Sequence, residues 1–411
     1  MRPTAPRPGG SRPEAVMRTR PARLANVAGF NIDVVADAAG NDPDVLRLEN
    51  LDTDLAPPAE AIEATRAAVG ELSANSYLPF IGRLDLREAV AARVRGRSGV
   101  AFDPEREVVI TPSDGDAVLD ALLALVDQGD EVILTDPCYA GLVNRVRLVG
   151  AVPRLVPLRS DGRAWRLDLE VLAEAVTNRT RAILLLNPSF PTGCVLTDEE
   201  WTEVARLCVE RDLWLLYWGL MEGIVFDGAP VRHPLQLAGM RDRTVTIGTV
   251  SCEQRMIGWR IGWMVASELV MRDLAVVHIY NGIVAGGIGQ AGALAALSAP
   301  DDGLAACVAA WQERRDVVGA ELRGFPMTPA AGGWSQLLDA RELGVDAEDL
   351  SRALLAHKVA ATPMTGWGGR IADRHVRLVF SREPADRLRL LGERMLGALD
   401  DLGVPSSWRR G

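Results

Sequence analysis

TVTIGTVSCEQRMIGWRIGWMVA, residues 244–266, is the stretch of sequence that decides the fold. An apolar run that contains Val245, Ile247 and Val250 passes through small residues into a turn, and a second apolar run follows. Short apolar runs separated by small and polar residues are typical of two strands joined by a loop. The loop ends in GWRIGW, which places Arg260 between two tryptophans. We therefore predict a strand, a loop and a strand here.

The same stretch resembles the lysine segment of the fold-type-I pyridoxal-phosphate (PLP) enzymes, the aspartate-aminotransferase superfamily. In that family Ser-x-Ser-Lys precedes Met-x-Gly-Trp-Arg-x-Gly at a fixed spacing. The lysine forms a Schiff base with PLP, and the arginine holds the phosphate of PLP. The resemblance assigns Arg260 to this phosphate position. Counted back from Arg260, the lysine position falls on Cys252.

Further motifs extend the resemblance over roughly residues 47–402. Tyr77 begins YLPFIGRLDLREA, which matches the superfamily's Tyr-x-Pro-x-x-Gly-x-x-x-Leu-Arg-x-Ala. In the family this tyrosine reaches the cofactor phosphate of the partner, so the match implies a homodimer; a tyrosine packed under a loop is the alternative. Arg377, in HVRLVF, falls where the family's arginine grips the substrate's α-carboxylate.

Several positions that the resemblance assigns to PLP carry other residue types. Asn187 begins NPSFPTG, which resembles Asn-Pro-x-Asn-Pro-Thr-Gly, and the second asparagine is replaced by Phe190. The family's Asp-x-x-Tyr pair, whose aspartate pairs with the pyridine nitrogen, falls on Trp218 and Met221. A tryptophan cannot take the place of that carboxylate, because its indole N–H is only a donor.

EVVITPSDGDAVLDALLALVDQGDEVILTDPCY predicts a strand, a tight turn, a helix and a second strand, which is a βαβ unit. The turn offers N–H groups at a helix N-terminus, where anions bind readily. The family has Gly-Ser or Gly-Thr there for the phosphate, whereas this chain has Ser113 and Asp114, and a carboxylate repels a phosphate. Tyr139 takes the place of the ring that stacks on the pyridine; an ordinary core aromatic is the alternative.

The resemblance implies an α/β, aspartate-aminotransferase-like fold (PLP fold type I), with a large domain whose mainly parallel sheet is flanked by helices and a smaller α+β domain. The buried apolar run RAILLL is typical of a parallel strand. We predict an Arg- and Pro-rich disordered arm at residues 1–25 and a segment that joins the small domain at 26–75. The large domain then covers 76–300, and the C-terminal small domain covers 301–411.

Composition limits the partners. The 411 residues are 48% hydrophobic, which is enough to bury a large core. The net charge of -10 argues against nucleic acid as a partner. No run approaches the roughly 18 apolar residues of a membrane helix. Five cysteines without a CxxC pair predict reduced thiols in a cytoplasmic protein, and no metal-ligand cluster is visible.

Because the contacts to the PLP ring are replaced together, the sequence predicts that PLP is absent, and it identifies no other cofactor for the same pocket. The 45 basic residues include a single lysine, Lys358, which we expect on the surface. The leading hypothesis is therefore an aminotransferase-like enzyme of specialised metabolism without PLP catalysis. Its small-molecule substrate carries a carboxylate or a phosphate. The alternatives are a conventional PLP-dependent class I/II aminotransferase and a non-catalytic partner of a true aminotransferase.

The predicted substrate site consists of Arg377, Arg260, Tyr139, Phe190, Trp218, Met221, Tyr77 and Asn187. Cys252 is the candidate catalytic residue, because a nearby cation such as Arg260 lowers the pKa of a thiol and produces a nucleophilic thiolate. A thiolate would permit acyl transfer or cyclisation. In the alternative interpretation, Cys252 fills the space that a lysine left. His278 and Glu253 are candidate bases by position alone.

Overall fold

The computed structural model describes residues 31–405, together with Pro21, Leu24 and Val27. Apart from Pro21 and Leu24, the predicted disordered arm at 1–25 lies outside the described residues.

The α-helices are α1 (Asn31–Ala39), α2 (Ala59–Gly70), α3 (Leu84–Ser98), α4 (Asp114–Leu125), α5 (Ala140–Leu148), α6 (Leu169–Ala175), α7 (Asp198–Glu210), α8 (Glu268–Gly282), α9 (Gly287–Ser298), α10 (Leu304–Glu321), α11 (Ala347–Ala356), α12 (Ala385–Leu388) and α13 (Leu391–Asp401). Within the described residues none of these helices is long and apolar enough to cross a bilayer.

The strands are β1 (Leu46–Arg47), β2 (Val108–Thr111), β3 (Glu131–Asp136), β4 (Val152–Ser160), β5 (Trp165–Leu167), β6 (Thr180–Leu186), β7 (Trp214–Trp218), β8 (Thr244–Thr249), β9 (Gly262–Val265), β10 (Met327–Thr328), β11 (Ser335–Asp339), β12 (Val359–Ala360), β13 (Thr362–Pro363) and β14 (His375–Val379).

A mixed sheet lies at the centre of the molecule. Within the described residues it has eight strands in the order β2-β9-β8-β7-β6-β3-β4-β5. The pairs β4-β3, β3-β6, β6-β7 and β7-β8 are parallel, whereas β9 and β5 pair antiparallel with their neighbours. Strand β8 is buried along its whole length, as expected for a strand covered on both faces. The predicted aspartate-aminotransferase-like α/β fold is confirmed.

Smaller sheets accompany the central one. Strands β10, β11, β14 and β13 form an antiparallel sheet in that order, and β1 pairs in parallel with β12. Because β1 precedes the central sheet in the chain and β12 follows it, the N-terminal segment packs with C-terminal elements. The proposed domain limits at residues 75 and 300 stay a prediction.

The stretch 244–266 forms the predicted strand, loop and strand. Strands β8 and β9 pair antiparallel, with Thr249 opposite Gly262, and residues 250–261 form the loop between them. Near the end of this loop Arg260 has φ 55°, in the left-handed region. A short 3₁₀ turn, Ile257–Trp259, comes directly before Arg260.

Gly262, the first residue of β9 after this loop, packs against the backbone at the start of α4. A Cβ atom at Gly262 would lie 2.4 Å from the backbone nitrogen of Asp114 and 2.6 Å from the carbonyl carbon of Ser113. Backbone atoms cannot move aside as a flexible side chain can, so a glycine is required here. This contact fixes the loop that carries Arg260 against the N-terminus of α4.

We expect Gly262→Ala to lower the free energy of unfolding by about 1–3 kcal/mol, because the added methyl group overpacks a backbone contact. Gly258→Ala is the matched control in the same loop, since a Cβ atom there would meet nothing within 4 Å. Urea denaturation of both variants measures the difference. Equal stability of the two variants would contradict this account of the contact.

Candidate active site

A cavity of about 260 Å³ opens where β2, β3, β6, β7 and β8 end. Ligands of open α/β sheets bind beyond the carboxyl ends of the strands, so this cavity is the candidate active site. Its lining residues are Ile32, Asn50, Leu51, Ser113, Asp114, Gly115, Tyr139, Arg145, Phe190, Trp218, Leu220, Ser251, Cys252, Ile257 and Arg260.

The cavity brings together much of the predicted site, namely Cys252, Arg260, Tyr139, Phe190 and Trp218. Asn187 and Met221 are buried nearby without lining the cavity. The Oδ1 of Asn187 accepts a hydrogen bond from the Leu196 N–H at 2.9 Å, so this side chain supports its own loop. Tyr77 lies apart from the cavity with 80% of its surface exposed.

Arg377, on β14, lies behind the wall that Phe190 forms. Its guanidinium stacks on the rings of Trp367 and Phe190, at 4.5 Å and 5.0 Å from their centroids. The Nη2 atom donates to the Glu49 carbonyl and to the Thr362 Oγ1. Within the described residues Nε and Nη1 have no hydrogen-bond partner, and no carboxylate forms an ion pair with Arg377.

Burial lowers the pKa of Arg377 to about 9, so the guanidinium is still charged at neutral pH. A buried cation without a counter-ion is costly, because it has lost its hydration without gaining an ion pair. A carboxylate that reached Nε or Nη1 would supply the missing partner. Among the described residues Arg377 is thus a buried guanidinium beside the cavity that lacks a counter-ion.

An anion-binding corner lies at the N-terminus of α4. Ser113 is the N-cap of α4, and its Oγ accepts from the Asp116 N–H at 3.1 Å. Arg260 lines the same cavity and donates from Nη1 to the Ile257 carbonyl at 2.8 Å, which orients its guanidinium. Ser251 approaches from the end of β8, with its Oγ 2.8 Å from the Thr249 Oγ1. Helix N–H groups, hydroxyls and a guanidinium together suit a phosphate or a carboxylate.

Asp114 opposes anion binding in this corner. Its Oδ2 accepts a hydrogen bond from the Trp218 Nε1–H at 3.0 Å, and the carboxyl group is buried. Burial raises the pKa of Asp114, and the nearby Arg260 acts in the opposite direction. Asp114 therefore binds a proton at a higher pH than an exposed aspartate does.

We expect Asp114→Asn to strengthen sulfate binding by about tenfold or more, because unit charges near a protein surface repel by roughly 1–4 kcal/mol. An asparagine can still accept from Trp218. Wild-type affinity should also rise as the pH falls and Asp114 becomes protonated, whereas the variant should show little pH dependence. Sulfate is the suitable probe because its charge is constant over this range.

Calorimetric titration with sulfate between about pH 4 and pH 8 measures both effects. Asp116→Asn is the control, because Asp116 lies in the same first turn of α4 but does not line the cavity. If the two variants bound sulfate equally well at neutral pH, Asp114 would have no special effect on the anion corner.

The expectation that Cys252 has a lowered pKa is wrong. Cys252 is only 2% exposed, and burial raises the pKa of its thiol well above the usual value. The carboxylates of Asp114 and Glu253 raise it further, and together these effects outweigh the opposing effect of Arg260. The thiol keeps its proton at neutral pH, so the geometry does not support nucleophilic acyl transfer or cyclisation by a thiolate. It favours the interpretation of Cys252 as a small buried side chain.

The candidate bases Glu253 and His278 lie outside the cavity. Glu253 forms buried ion pairs with Arg93 and Arg97, and these two guanidinium groups hold its pKa at about 2. His278 is buried on α8, where its Nδ1 lies 3.2 Å from the Asp120 Oδ2. Both residues have structural partners and neither lines the cavity, so the structure does not support either as a base.

The sequence analysis missed Arg145, whose side chain lines the cavity from α5. Its Nη1 donates to the Gly141 carbonyl at 3.0 Å, and it also hydrogen-bonds the Tyr139 side chain. No local motif marked Arg145, because the glycines that leave room for it, Gly115 and Gly141, lie on two different helices. By contrast Lys358 lies on the surface as predicted, where it pairs with Asp42 at 2.7 Å.

The fold and this cavity define an aminotransferase framework. The family model for aminotransferase class I and II matches residues 43–392, and the chain belongs to this family. It is 35% identical, over 75% of its length and 79% of the relative's, to the probable N-succinyldiaminopimelate aminotransferase DapC of Mycobacterium tuberculosis. It is 32% identical to the arginine–pyruvate transaminase AruH of Pseudomonas aeruginosa, over 86% of this chain and 91% of that one.

Solved structures agree with this assignment. The N-succinyldiaminopimelate aminotransferase of Mycobacterium tuberculosis superimposes with a TM-score of 0.85 at 31% identity, and the match covers 93% of this chain and 100% of that one. The aspartate aminotransferase of Thermus thermophilus with maleate also gives a TM-score of 0.85, at 28% identity and with the same coverage.

These comparisons overturn the prediction that PLP is absent. Class I and II aminotransferases depend on PLP, and the matched relatives are aminotransferases along most of their length. The described residues also fit the phosphate end of PLP, because the N-terminus of α4, Ser251 and Arg260 meet in one corner. Tyr139 adds an aromatic face to the cavity. Replacing individual ring contacts is therefore not sufficient to infer loss of the cofactor.

Proposed function

We propose that this chain is a PLP-dependent class I/II aminotransferase whose substrate is an amino acid or an acid derived from one. Family membership supports the cofactor and the reaction class. The observation that carries the substrate class is Arg377, a buried guanidinium beside the cavity with two nitrogens unpartnered among the described residues. A substrate carboxylate is the group that suits such a guanidinium.

In this proposal the phosphate of PLP is held by Arg260, Ser251 and the N–H groups at the start of α4. Tyr139 offers an aromatic face to the ring. PLP, when bound, supplies the electron sink that weakens bonds at the α-carbon of the substrate. Cys252 cannot form the carbon–nitrogen bond of a Schiff base, so we propose that the protein holds PLP by non-covalent contacts.

The remaining wall residues have supporting roles. Phe190, Trp218, Leu220 and Ile257 line the cavity with apolar surface, which excludes water from the bound substrate. Cys252 holds its proton on Sγ, so it presents a neutral group at the centre of the cavity. Trp218 uses its indole N–H on Asp114 and thereby keeps that carboxyl group in place.

We also propose a homodimer in the cytoplasm. Tyr77 and Phe80 form an exposed edge-to-face aromatic pair, which is typical of a surface that another chain covers. The five cysteines are free thiols, and free thiols persist in a reducing compartment.

A chain with a single lysine allows a sharp test of PLP binding in the cavity. In a Lys358→Arg background, Cys252→Lys creates a protein whose one lysine lies at the cavity centre. We expect PLP followed by borohydride to leave one covalent adduct at residue 252, located by peptide mass spectrometry. The Lys358→Arg parent should give no adduct in the cavity, yet should quench tryptophan fluorescence reversibly when PLP is added.

The peptide map separates the engineered lysine from the N-terminal amine, which can also react with PLP. An adduct confined to the N-terminus in the double variant, with no fluorescence quenching in the parent, would show that PLP does not enter this cavity.

Arg377→Gln tests the substrate class. We expect it to weaken binding of butyrate and succinate alike by roughly tenfold to a hundredfold, because both probes present a carboxylate to the buried guanidinium. Arg377→Lys keeps the charge and should retain part of the affinity, and Arg272→Gln on the exposed face of α8 controls for net charge. Calorimetry on correctly folded protein gives the affinities; unchanged binding in Arg377→Gln would remove this residue from the site.

A further inference from the structure

The guanidinium of Arg145 lies beside the N-terminal turn of α4, in a slot that two glycines leave open. A Cβ atom at Gly115 would lie 2.5 Å from Arg145 Nη2 and 3.5 Å from Ser113 Oγ, so the guanidinium and this hydroxyl flank the same point on α4. A Cβ atom at Gly141 would lie 2.9 Å from Arg145 Nη1. Any larger residue at either glycine would displace the guanidinium. The backbones of α4 and α5 therefore place Arg145 next to the anion corner.

Arg145 has hydrogen-bond partners but no counter-ion. Its Nη1 donates to the Gly141 carbonyl at 3.0 Å, and its side chain also hydrogen-bonds Tyr139. Within the part of the chain that the structure describes, no carboxylate forms an ion pair with Arg145, although Asp114 lines the same cavity. A guanidinium has five N–H donors, so donors remain for a ligand.

The charges that line the cavity show why this cation matters. They belong to two arginines, Arg145 and Arg260, and to one aspartate, Asp114. With Arg260 alone, an ionised Asp114 would cancel the only cation, and the N-terminus of α4 would contribute just a partial charge of about +0.5. A phosphate ester carries a charge of about −1.5 to −2 at neutral pH. Arg145 makes the sum of the side-chain charges positive, which suits the corner to a phosphate.

The residue at the centre of the cavity increases the importance of this charge. Cys252 cannot form a Schiff base, so the affinity for PLP has to come from non-covalent contacts. Much of the cavity wall is apolar, with Phe190, Trp218 and Leu220. A phosphate can accept several charge-assisted hydrogen bonds, which are stronger than bonds between neutral groups. Retention of the cofactor should therefore depend on the cations of the anion corner.

We propose that Arg145 is a second ligand for a phosphate group in the anion corner, where it offsets the charge of Asp114 and retains a cofactor that no lysine anchors. The identity of the cofactor as PLP rests on the proposed function. The resemblance to the family assigned one arginine, Arg260, to the phosphate. Arg145 is recognised instead from its slot, its missing counter-ion and its place in the cavity. Its planar guanidinium can present two N–H groups to two phosphate oxygens.

Pyridoxamine phosphate and pyridoxamine are matched probes, because they differ in the phosphate group alone and neither carries an aldehyde that reacts with amines. Each is titrated calorimetrically into the dialysed full-length protein and into Arg145→Gln. We expect the wild type to bind pyridoxamine phosphate more tightly than pyridoxamine. Arg145→Gln should weaken pyridoxamine phosphate by about ten- to a hundredfold and leave pyridoxamine unchanged, because a charge-assisted contact to the phosphate is lost.

Three further variants separate charge from position. Arg145→Lys keeps the charge and should retain part of the affinity for pyridoxamine phosphate. Adding Asp114→Asn to Arg145→Gln restores the charge balance and should recover most of the lost affinity. Gly115→Ala leaves the arginine in place but puts a methyl group 2.5 Å from its Nη2, so it should also weaken pyridoxamine phosphate. Arg272→Gln, on the exposed face of α8, is the control and should change neither probe.

Two results would overturn the inference. Equal weakening of both probes in Arg145→Gln would mean that Arg145 acts through the Tyr139 ring rather than on the phosphate. Unchanged affinity of Arg145→Gln for pyridoxamine phosphate would mean that Arg260 and the N-terminus of α4 are sufficient.

The proposed function and this inference fail separately, because sulfate measures the anion corner without a cofactor. Arg145→Gln should weaken sulfate by about tenfold or more. If the wild type bound neither PLP nor pyridoxamine phosphate, the proposed function would fall, and a loss of sulfate affinity in Arg145→Gln would still support Arg145 as an anion ligand. If pyridoxamine phosphate bound and its affinity did not depend on Arg145, only the assignment of Arg145 would fall. Failure of the wild type to bind either pyridoxamine phosphate or sulfate would overturn both.

Discussion

The contact between Gly262 and the backbone at the start of α4 is the constraint on which the active site depends. It places the first residue of β9, directly after the loop that carries Arg260, against the start of the helix after β2, and these two segments are far apart in the chain. Because the contact involves backbone atoms on both sides, it sets the distance between Arg260 and the N-terminus of α4 without relying on flexible side chains. The close contact limits further approach, and the pairing of Gly262 with Thr111 in the sheet holds the two segments together at the anion corner.

The same constraint explains the unusual electrostatics of the cavity. Fixing the β8–β9 loop against α4 brings the Cys252 thiol under the influence of the Asp114 carboxyl group, and both groups are buried. Desolvation then raises the pKa of each group above its usual value. The closeness of Cys252 and Arg260 in the chain, considered alone, suggested a thiolate, because a nearby cation lowers the pKa of a thiol. The dominant effect is burial, which depends on packing from the whole sheet.

The fold was predicted from the resemblance of the chain's motifs to a known family, and local patterns predicted individual elements. The strand, loop and strand at 244–266 and the βαβ unit that contains α4 follow from apolar runs and turn residues close together in the chain. Arg145 could not be found in this way, because its role depends on a slot formed by Gly115 on α4 and Gly141 on α5. The partners of Glu253 and His278 lie on α3 and α4, far away in the chain, so sequence position did not show that both residues have structural roles.

The prediction about PLP was wrong for a different reason. It treated each replaced ring contact, such as Trp218 or Phe190, as evidence against the cofactor, although the groups that we propose for the phosphate of PLP remain. In the folded protein Arg260, Arg145 and Arg377 surround the cavity region, against one lining carboxyl group, Asp114, whose pKa is raised. This balance of charge favours anionic ligands even without a covalent link. A cofactor phosphate and substrate carboxylates are therefore the ligands that we propose for the cavity, and in this proposal Cys252 limits how the cofactor is held rather than whether it binds.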